Sequence, residues 1–309
     1  MSKSESVSNT HPARVEKNPI AGCCGYPARL SGDRSSGVEH LVVVQDVAGS
    51  NPVGRPFSPM RIHCVQFDIT WEDKAASHAR AEAILDASNP PPGGLIVLPE
   101  LGDVGFSFAL DRIVDDRSEQ WACQLAARWR CWVLHGWPML GPDGKGRNVS
   151  GLCSPDGTLL GIAEKMHPFT IGNAGGVYMP GDRVRVFDVE GVSLCPLVCY
   201  DLRFPEVFRR GMSEGAEMFT VIANWPAQRA AHWRTLLIAR AIENQAIVVG
   251  CNRVGSDPSF RYAGGSLIVD AEGVVVAEGG DEEEVISAEV DPAEMRTWRK
   301  VFPALRDVR

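Results

Sequence analysis

Residues 194–206 read LCPLVCYDLRFPE, and the rest of the chain is best understood from them. The apolar run 194–198 ends on Cys199, Tyr200 and Asp201 turn the chain, and a mixed polar–apolar segment continues towards Phe208. Apolar run, polar turn and amphipathic continuation predict a strand, a tight elbow and a helix. A thiol placed there sits at the carboxyl end of a strand and near a helix N-terminus. Backbone N–H groups and the helix dipole favour negative charge at such a place, so the position predicts a thiolate and donors for an oxyanion. A small buried hydrophobe is the other reading of the same cysteine, and other segments have to decide between them.

Working outward, the chain alternates strands and helices. RIHCVQF (61–67) reads as a strand and EDKAASHARAEAILDA (72–87) as a helix stopped by NPPPGG (89–94). LIVLPE (95–100) is a buried strand ending on Pro99-Glu100, 117–129 a second helix, and WVLHGWPM (132–139) a strand leading through GPDGKGR into a hairpin. TLLGIAEK (158–165) is the next strand. Beyond the elbow, MFTVIAN (218–224) and AIVVGCN (246–252) read as strands around the helix HWRTLLIARAIEN (232–244), and GGSLIVD (264–270) pairs with VVVAEGG (274–280). Alternation with interleaved hairpins predicts an α/β fold of two mixed sheets with helices outside, a four-layer α-β-β-α sandwich.

Residues 1–59 differ from the rest, being polar, broken by Gly and Pro, and weakly patterned apart from LVVV (41–44). They are expected to be a disordered or spurious N-terminal extension, with 60–309 as the folded domain and Met60 as the natural start. The piece SSGVEHLVVVQDVAGSNPVGRP resembles the translation of a transfer-RNA gene. The 309 residues carry a formal net charge of -8 and no long basic tract, which argues against nucleic acid as a partner. No apolar stretch approaches the roughly 18–20 residues of a membrane span, and no signal-peptide core is present. Nine scattered cysteines, without a CxxC pair or zinc-type Cys/His spacing, suit a reducing cytoplasm and argue against a structural metal.

Two strand ends carry polar residues of the right kind to act with the thiol. Glu100 closes an apolar strand, where a carboxyl is costly unless paired, and where a raised pKa suits a general base. A surface-paired loop acid is the alternative. Lys165 closes another strand; held beside a thiol it would favour the thiolate and donate to an oxyanion. His167 lies on the same side of an extended segment and is read as structural. Trp225, following Asn224 at a strand end, is placed to wall an acyl pocket or to pack under a loop. Arg229, Arg240 and Arg253 are candidate ligands for a substrate carboxylate, while Arg203 and Glu206 are expected to brace the elbow by pairing.

The stretches LPEL (98–101), EKMHPF (164–169) and PLVCYDLRFPE (196–206) resemble the Glu, Lys and Cys signatures of the nitrilase superfamily of carbon–nitrogen hydrolases, in that family's order. The likeness extends over 60–309, and 223–257, GGSLIVDAEG and FPALRD are similar to the omega-amidase-like branch. The resemblance implies an α-β-β-α sandwich in a homodimer and cofactor-free hydrolysis of an amide. It assigns Cys199 as nucleophile, Glu100 as general base and Lys165 as stabiliser of the tetrahedral intermediate, with the Tyr200 N–H completing the oxyanion hole. Tyr200, Asn224 and Trp225 are then the substrate-binding candidates. The branch usually carries a second glutamate nine residues after the lysine; here that position is Ala174, although Tyr178 and Gly181 fit the pattern. A cytoplasmic amidase for a dicarboxylic acid monoamide is expected. Nitrile or N-carbamoyl hydrolysis, and a non-catalytic small-amide- or protein-binding relative lacking the second acid, remain the alternatives.

Overall fold

The computed structural model describes residues 59–169 and 176–308. The expectations for the N-terminal extension and for Ala174 fall outside these residues, apart from Pro59. In chain order the first half contributes β1 (Met60–Gln66), α1 (Lys74–Ser88), β2 (Leu95–Val97), α2 (Leu110–Ile113), α3 (Arg117–Trp129), β3 (Trp132–Leu140), β4 (Gly146–Cys153) and β5 (Leu159–Glu164). The second half contributes β6 (Phe187–Val189), β7 (Val192–Val198), α4 (Pro205–Ser213), β8 (Met218–Ala223), α5 (Ala230–Asn244) and β9 (Ile247–Asn252). It continues with β10 (Val254–Ser256), β11 (Arg261–Ala263), β12 (Leu267–Val269), β13 (Val275–Glu278), β14 (Glu284–Val290) and α6 (Pro292–Val301).

Two six-stranded sheets result, ordered β14-β1-β2-β3-β4-β5 and β13-β12-β9-β8-β7-β6. In each, three neighbouring strands are parallel (β1, β2, β3 and β7, β8, β9) and antiparallel strands flank them. The parallel strands are covered on both faces, which is why β2 reads as an unbroken apolar run and β8 as one interrupted only by Thr220. Ile62, Val97 and Leu134 of one sheet share a core with Leu197, Val221 and Val249 of the other. Leu85 of α1 and Trp121 and Leu125 of α3 cover the outer face of the first sheet, against Val65, Ile96 and Val133. On the second sheet, α5 packs Trp233, Leu237 and Ala241 into the core, the ordinary use of its apolar face. Gly250 permits that approach, since a Cβ there would lie 2.4 Å from Leu237 Cδ1 and 2.8 Å from the Trp233 ring. The expected α-β-β-α sandwich is the observed architecture.

Differences from the sequence reading are local and have causes. Helix α1 starts at Lys74 because the Asp73 side chain accepts from Ala76 N–H and caps it, with Glu72 in the left-handed region. Strand β2 stops at Val97: Leu98 N–H still reaches Leu134 O, but Pro99 has no N–H to extend the ladder. The chain turns there and carries Glu100 inwards. In the acidic run 281–284, residues 281–283 bend the chain and Glu284 opens β14 opposite Gln66 of β1. Among the described residues no helix is long and apolar enough to cross a membrane.

Candidate active site

The carboxyl ends of β2, β7 and β8 and the end of β5 converge on a cavity of about 450 Å3. Glu100, Lys165 and Cys199, separate in sequence, all line it, and so do Tyr200, Asn224 and Trp225. Glu100 is fully buried and anchored at each oxygen. Oε1 accepts from Lys165 Nζ at 2.5 Å and from Asn148 Nδ2 at 2.8 Å, and Oε2 accepts from Asn224 N–H at 2.9 Å. Asn224 Nδ2 also donates to Glu100 O at 2.7 Å, so β8 holds both the backbone and the side chain of Glu100. Burial pushes the Lys165 ammonium down, but the Glu100 carboxylate and the Cys199 sulfur push it up and prevail. The lysine is therefore a fixed cation.

Buried pairs of this kind are costly to break. Lys165→Met leaves the Glu100 carboxylate buried without its ammonium partner and is expected to lower stability by about 3–5 kcal/mol. Urea unfolding checks this, and Glu100→Gln combined with Lys165→Met is expected to recover part of the loss. A single Lys165→Met variant as stable as the wild type would contradict the pairing.

The elbow itself departs from expectation. Cys199–Arg203 form a short 3-10 turn, and α4 begins only at Pro205. The thiol is therefore not at the N-terminus of a long helix. Cys199 has φ 48°, a left-handed conformation unusual for a residue with a side chain and costing about 1–3 kcal/mol. What holds the turn is Asp201, fully buried beneath it. Its carboxylate accepts from Val198 N–H at 3.0 Å, from His167 N–H at 2.8 Å, and from Met166 N–H at 3.4 Å, tying the elbow to the segment after Lys165. His167 pairs its Nδ1 with Asp201 at 2.9 Å and stacks on Phe204, a structural role.

Burial pushes the Cys199 thiol well above its ordinary pKa; the Glu100 carboxylate adds to the rise, and Lys165 and the Asn224 N–H offset part of it. Burial and the carboxylate thus favour the neutral thiol over the thiolate that the elbow argument suggests. A buried carboxylate beside a neutral thiol is an arrangement chemically able to take up the thiol proton.

The remaining candidates separate cleanly. Arg203 and Arg229 line the cavity, with the Arg203 guanidinium 4.8 Å over Trp225 and that of Arg229 5.8 Å over Phe169. Arg203 therefore contributes to the cavity wall and does more than brace the elbow. Arg240 and Arg253 are not in the wall: Arg240 donates to Leu202 O beneath the elbow, and Arg253 donates to Asp68 and to Ile69 O. Glu206 lies on a separate surface groove. Tyr178 donates to Ser107 O, and Gly181 N–H to Lys165 O, so both support the walls. Asn148, Asp201, Phe106 and Tyr262 are site or support residues that sequence reading missed. Asn148 carried no distinct signal, since Arg147 and Ser150 in the same strand are polar as well.

The sequence profile of the carbon-nitrogen hydrolase family matches residues 61–300. A 2-oxoglutaramate amidase of Bacillus subtilis (strain 168) is 35% identical over 252 residues, covering 80% of this chain and 97% of its own length. An omega-amidase, YafV, of Yersinia enterocolitica is 34% identical over 254 residues, covering 81% of this chain and 97% of its own. A CN-hydrolase superfamily protein of Xanthomonas campestris, solved with an arsenic adduct in its active site, superposes with a TM-score of 0.76. It is 32% identical and covers 82% of this chain and 98% of its own. With the sandwich and the site already in place, these likenesses establish that the chain belongs to the carbon–nitrogen hydrolase, or nitrilase, superfamily, in its omega-amidase-like branch, and is a hydrolase acting on carbon–nitrogen bonds.

Proposed function

We propose that this chain hydrolyses a short dicarboxylic acid monoamide, such as 2-oxoglutaramate or succinamate, to the dicarboxylate and ammonia through a thioester on Cys199. The observation that carries the reading is one cavity holding a buried carboxylate, an ammonium and a thiol together with the guanidinium groups of Arg203 and Arg229. Glu100 takes the thiol proton as sulfur attacks the amide carbonyl. Lys165 and the Tyr200 N–H stabilise the oxyanion. The proton held by Glu100 passes to the leaving nitrogen and ammonia departs. Glu100 then takes a proton from water, the hydroxyl adds to the thioester, and the thiol is released and reprotonated. Each carbonyl addition is thereby kept to a single neutral-thiol or neutral-water attack.

The Arg pair gives the substrate class a test. A guanidinium–carboxylate contact is worth about 1.5–3 kcal/mol, roughly 10–100-fold in binding. Arg229→Leu is expected to lower kcat/KM for succinamate by that factor, mainly through KM, and to leave kcat/KM for the uncharged butyramide within about twofold. Arg203→Leu is expected to act in the same direction. Equal losses for both amides, or none for either, would overturn the dicarboxylate reading and turn attention to nitriles and N-carbamoyl compounds.

A further inference from the structure

Behind the turn that carries Glu100, outside the cavity, three ionisable side chains from distant parts of the chain meet. His78 comes from α1, Asp103 from the turn after β2, and His135 from β3. One donor atom from each lies within 4.8 Å of the others. His78 Nε2 stands 3.1 Å, and His135 Nε2 3.6 Å, from the same oxygen, Asp103 Oδ2. Asp103 and His135 are fully buried, while His78 keeps 13% of its side chain exposed and gives the cluster a route to solvent. Trp121 walls it, stacked on His78 at 4.0 Å and edge-on to His135 at 5.1 Å.

Neither ring nitrogen of His135 makes a hydrogen bond of ordinary length, Nε2 having only the 3.6 Å approach to Asp103, and neither does Asp103 Oδ1, with the Ser118 hydroxyl beside that carboxylate. Buried polar atoms are normally satisfied, and a set left without partners is what a bound ion accounts for. Lys74, a buried cation whose charge reaches His135, is engaged elsewhere, donating to Asp115 at 2.7 Å. The two separations to Asp103 also fit, and the third lies within 4.8 Å. Ligands about 2.0–2.1 Å from a tetrahedral zinc lie roughly 3.3 Å from one another. The separations of 3.1 and 3.6 Å fall on either side of that edge.

We propose that His78, Asp103 and His135 bind one divalent first-row cation, zinc foremost, as a structural site. Two imidazoles and a carboxylate are a donor set suited to zinc and its neighbours in the row. The ion would clamp α1 and β3 onto the far end of the Glu100 turn, which is also tied to β3 by the hydrogen bond from Gly102 N–H to Gly136 O at 2.9 Å. Its role is to position the loop that bears Glu100, and it takes no part in the hydrolytic steps proposed above.

The test uses the full chain, stripped with a chelator, alkylated at Cys199, loaded with Zn2+ and freed of excess metal. The wild type is expected to retain about one zinc per chain by elemental mass spectrometry, with a Tm several degrees above the stripped protein. His78→Gln, at the half-buried edge where folding is least disturbed, is expected to lose both the retained zinc and the Tm response. His135→Gln is expected to do the same. Loading with Co2+ is expected to give weak d–d absorbance without thiolate charge transfer. The proposal is overturned by a wild type that retains no zinc and whose Tm ignores Zn2+, Co2+ and Ni2+, which would leave a histidine–carboxylate hydrogen-bond network. Equal retention by His78→Gln, or a strong thiolate band with Co2+, would also overturn it by placing the metal elsewhere.

Discussion

Glu100→Gln is expected to lower ammonia release by about 10²–10⁴-fold, the loss typical of a missing general base, while making the Cys199 thiol more acidic. The two effects have opposite implications for reactivity, and that makes the variant informative. In the wild type, burial and the Glu100 carboxylate both hold the thiol pKa up, and Lys165 pulls it down. Glutamine keeps the shape and removes the negative charge, and its single carbonyl oxygen can accept either from Lys165 and Asn148 or from Asn224 N–H, but not from both sides. The thiolate then feels Lys165 without the opposing carboxylate, so its pKa falls. A site that depended on a standing thiolate would gain from this change; one that depends on proton transfer to Glu100 loses. Thiolate absorbance against pH reads the first effect and ammonia release the second. A variant with undiminished turnover, or with a thiol pKa higher than the wild type's, would contradict the assignment. Linkage gives a companion result. A folded-state thiol pKa raised above the unfolded value of about 8.5 contributes stability that is full below that pH and is lost as pH rises towards the folded value. That alkaline loss is expected to be smaller in Glu100→Gln.

The parts of this account that could be read from sequence are those with local signals. The strand that ends on Cys199 is an apolar run broken by a polar pair, and the strand that ends near Glu100 is closed by a proline, so both site residues stand at marked positions. The layered fold follows from alternating apolar runs and helical periods. Strand β14 and helix α6 escaped notice, although Asp291 followed by Pro292 is a good helix start: Asp291 accepts from Ala293 N–H and Pro292 occupies the first turn. Strand β14 was hidden by the acidic run before it and by its mixed pattern, since it is an edge strand with one face outward.

Long-range properties were not legible. The Cys199 thiol pKa is pushed up by burial and then by a carboxylate from the other sheet, which no window around Cys199 contains. Which arginines face the cavity depends on what the others are already bonded to, as Arg240 and Arg253 show. His78, Asp103 and His135 come from a helix, a turn and a strand with no metal-type spacing between them, so the absence of a zinc motif said nothing about their meeting in space. The second acid of the family pattern, replaced by Ala174, lies outside the described residues, and the anchoring of Glu100 by Asn148, Lys165 and Asn224 stands independently of it.

Cys199→Ala removes the atom on which the proposed thioester forms. The residual cavity keeps its carboxylate, its ammonium and its guanidinium groups, so binding is retained while covalent chemistry is lost. Removing a nucleophile of this kind costs about 10⁴–10⁶-fold in kcat, because the remaining groups act only through it. Alanine also relieves no charge and leaves the Glu100–Lys165 pair intact, so stability is expected to change little. The most direct measurement is therefore ammonia release from 2-oxoglutaramate and succinamate by wild type and Cys199→Ala side by side, with Tm recorded for both. The account predicts turnover by the wild type, none above background in the equally folded variant, and a mass increase on Cys199 alone when the reaction is quenched in acid. Turnover that survives in Cys199→Ala, or a folded wild type inert towards both amides, would contradict it.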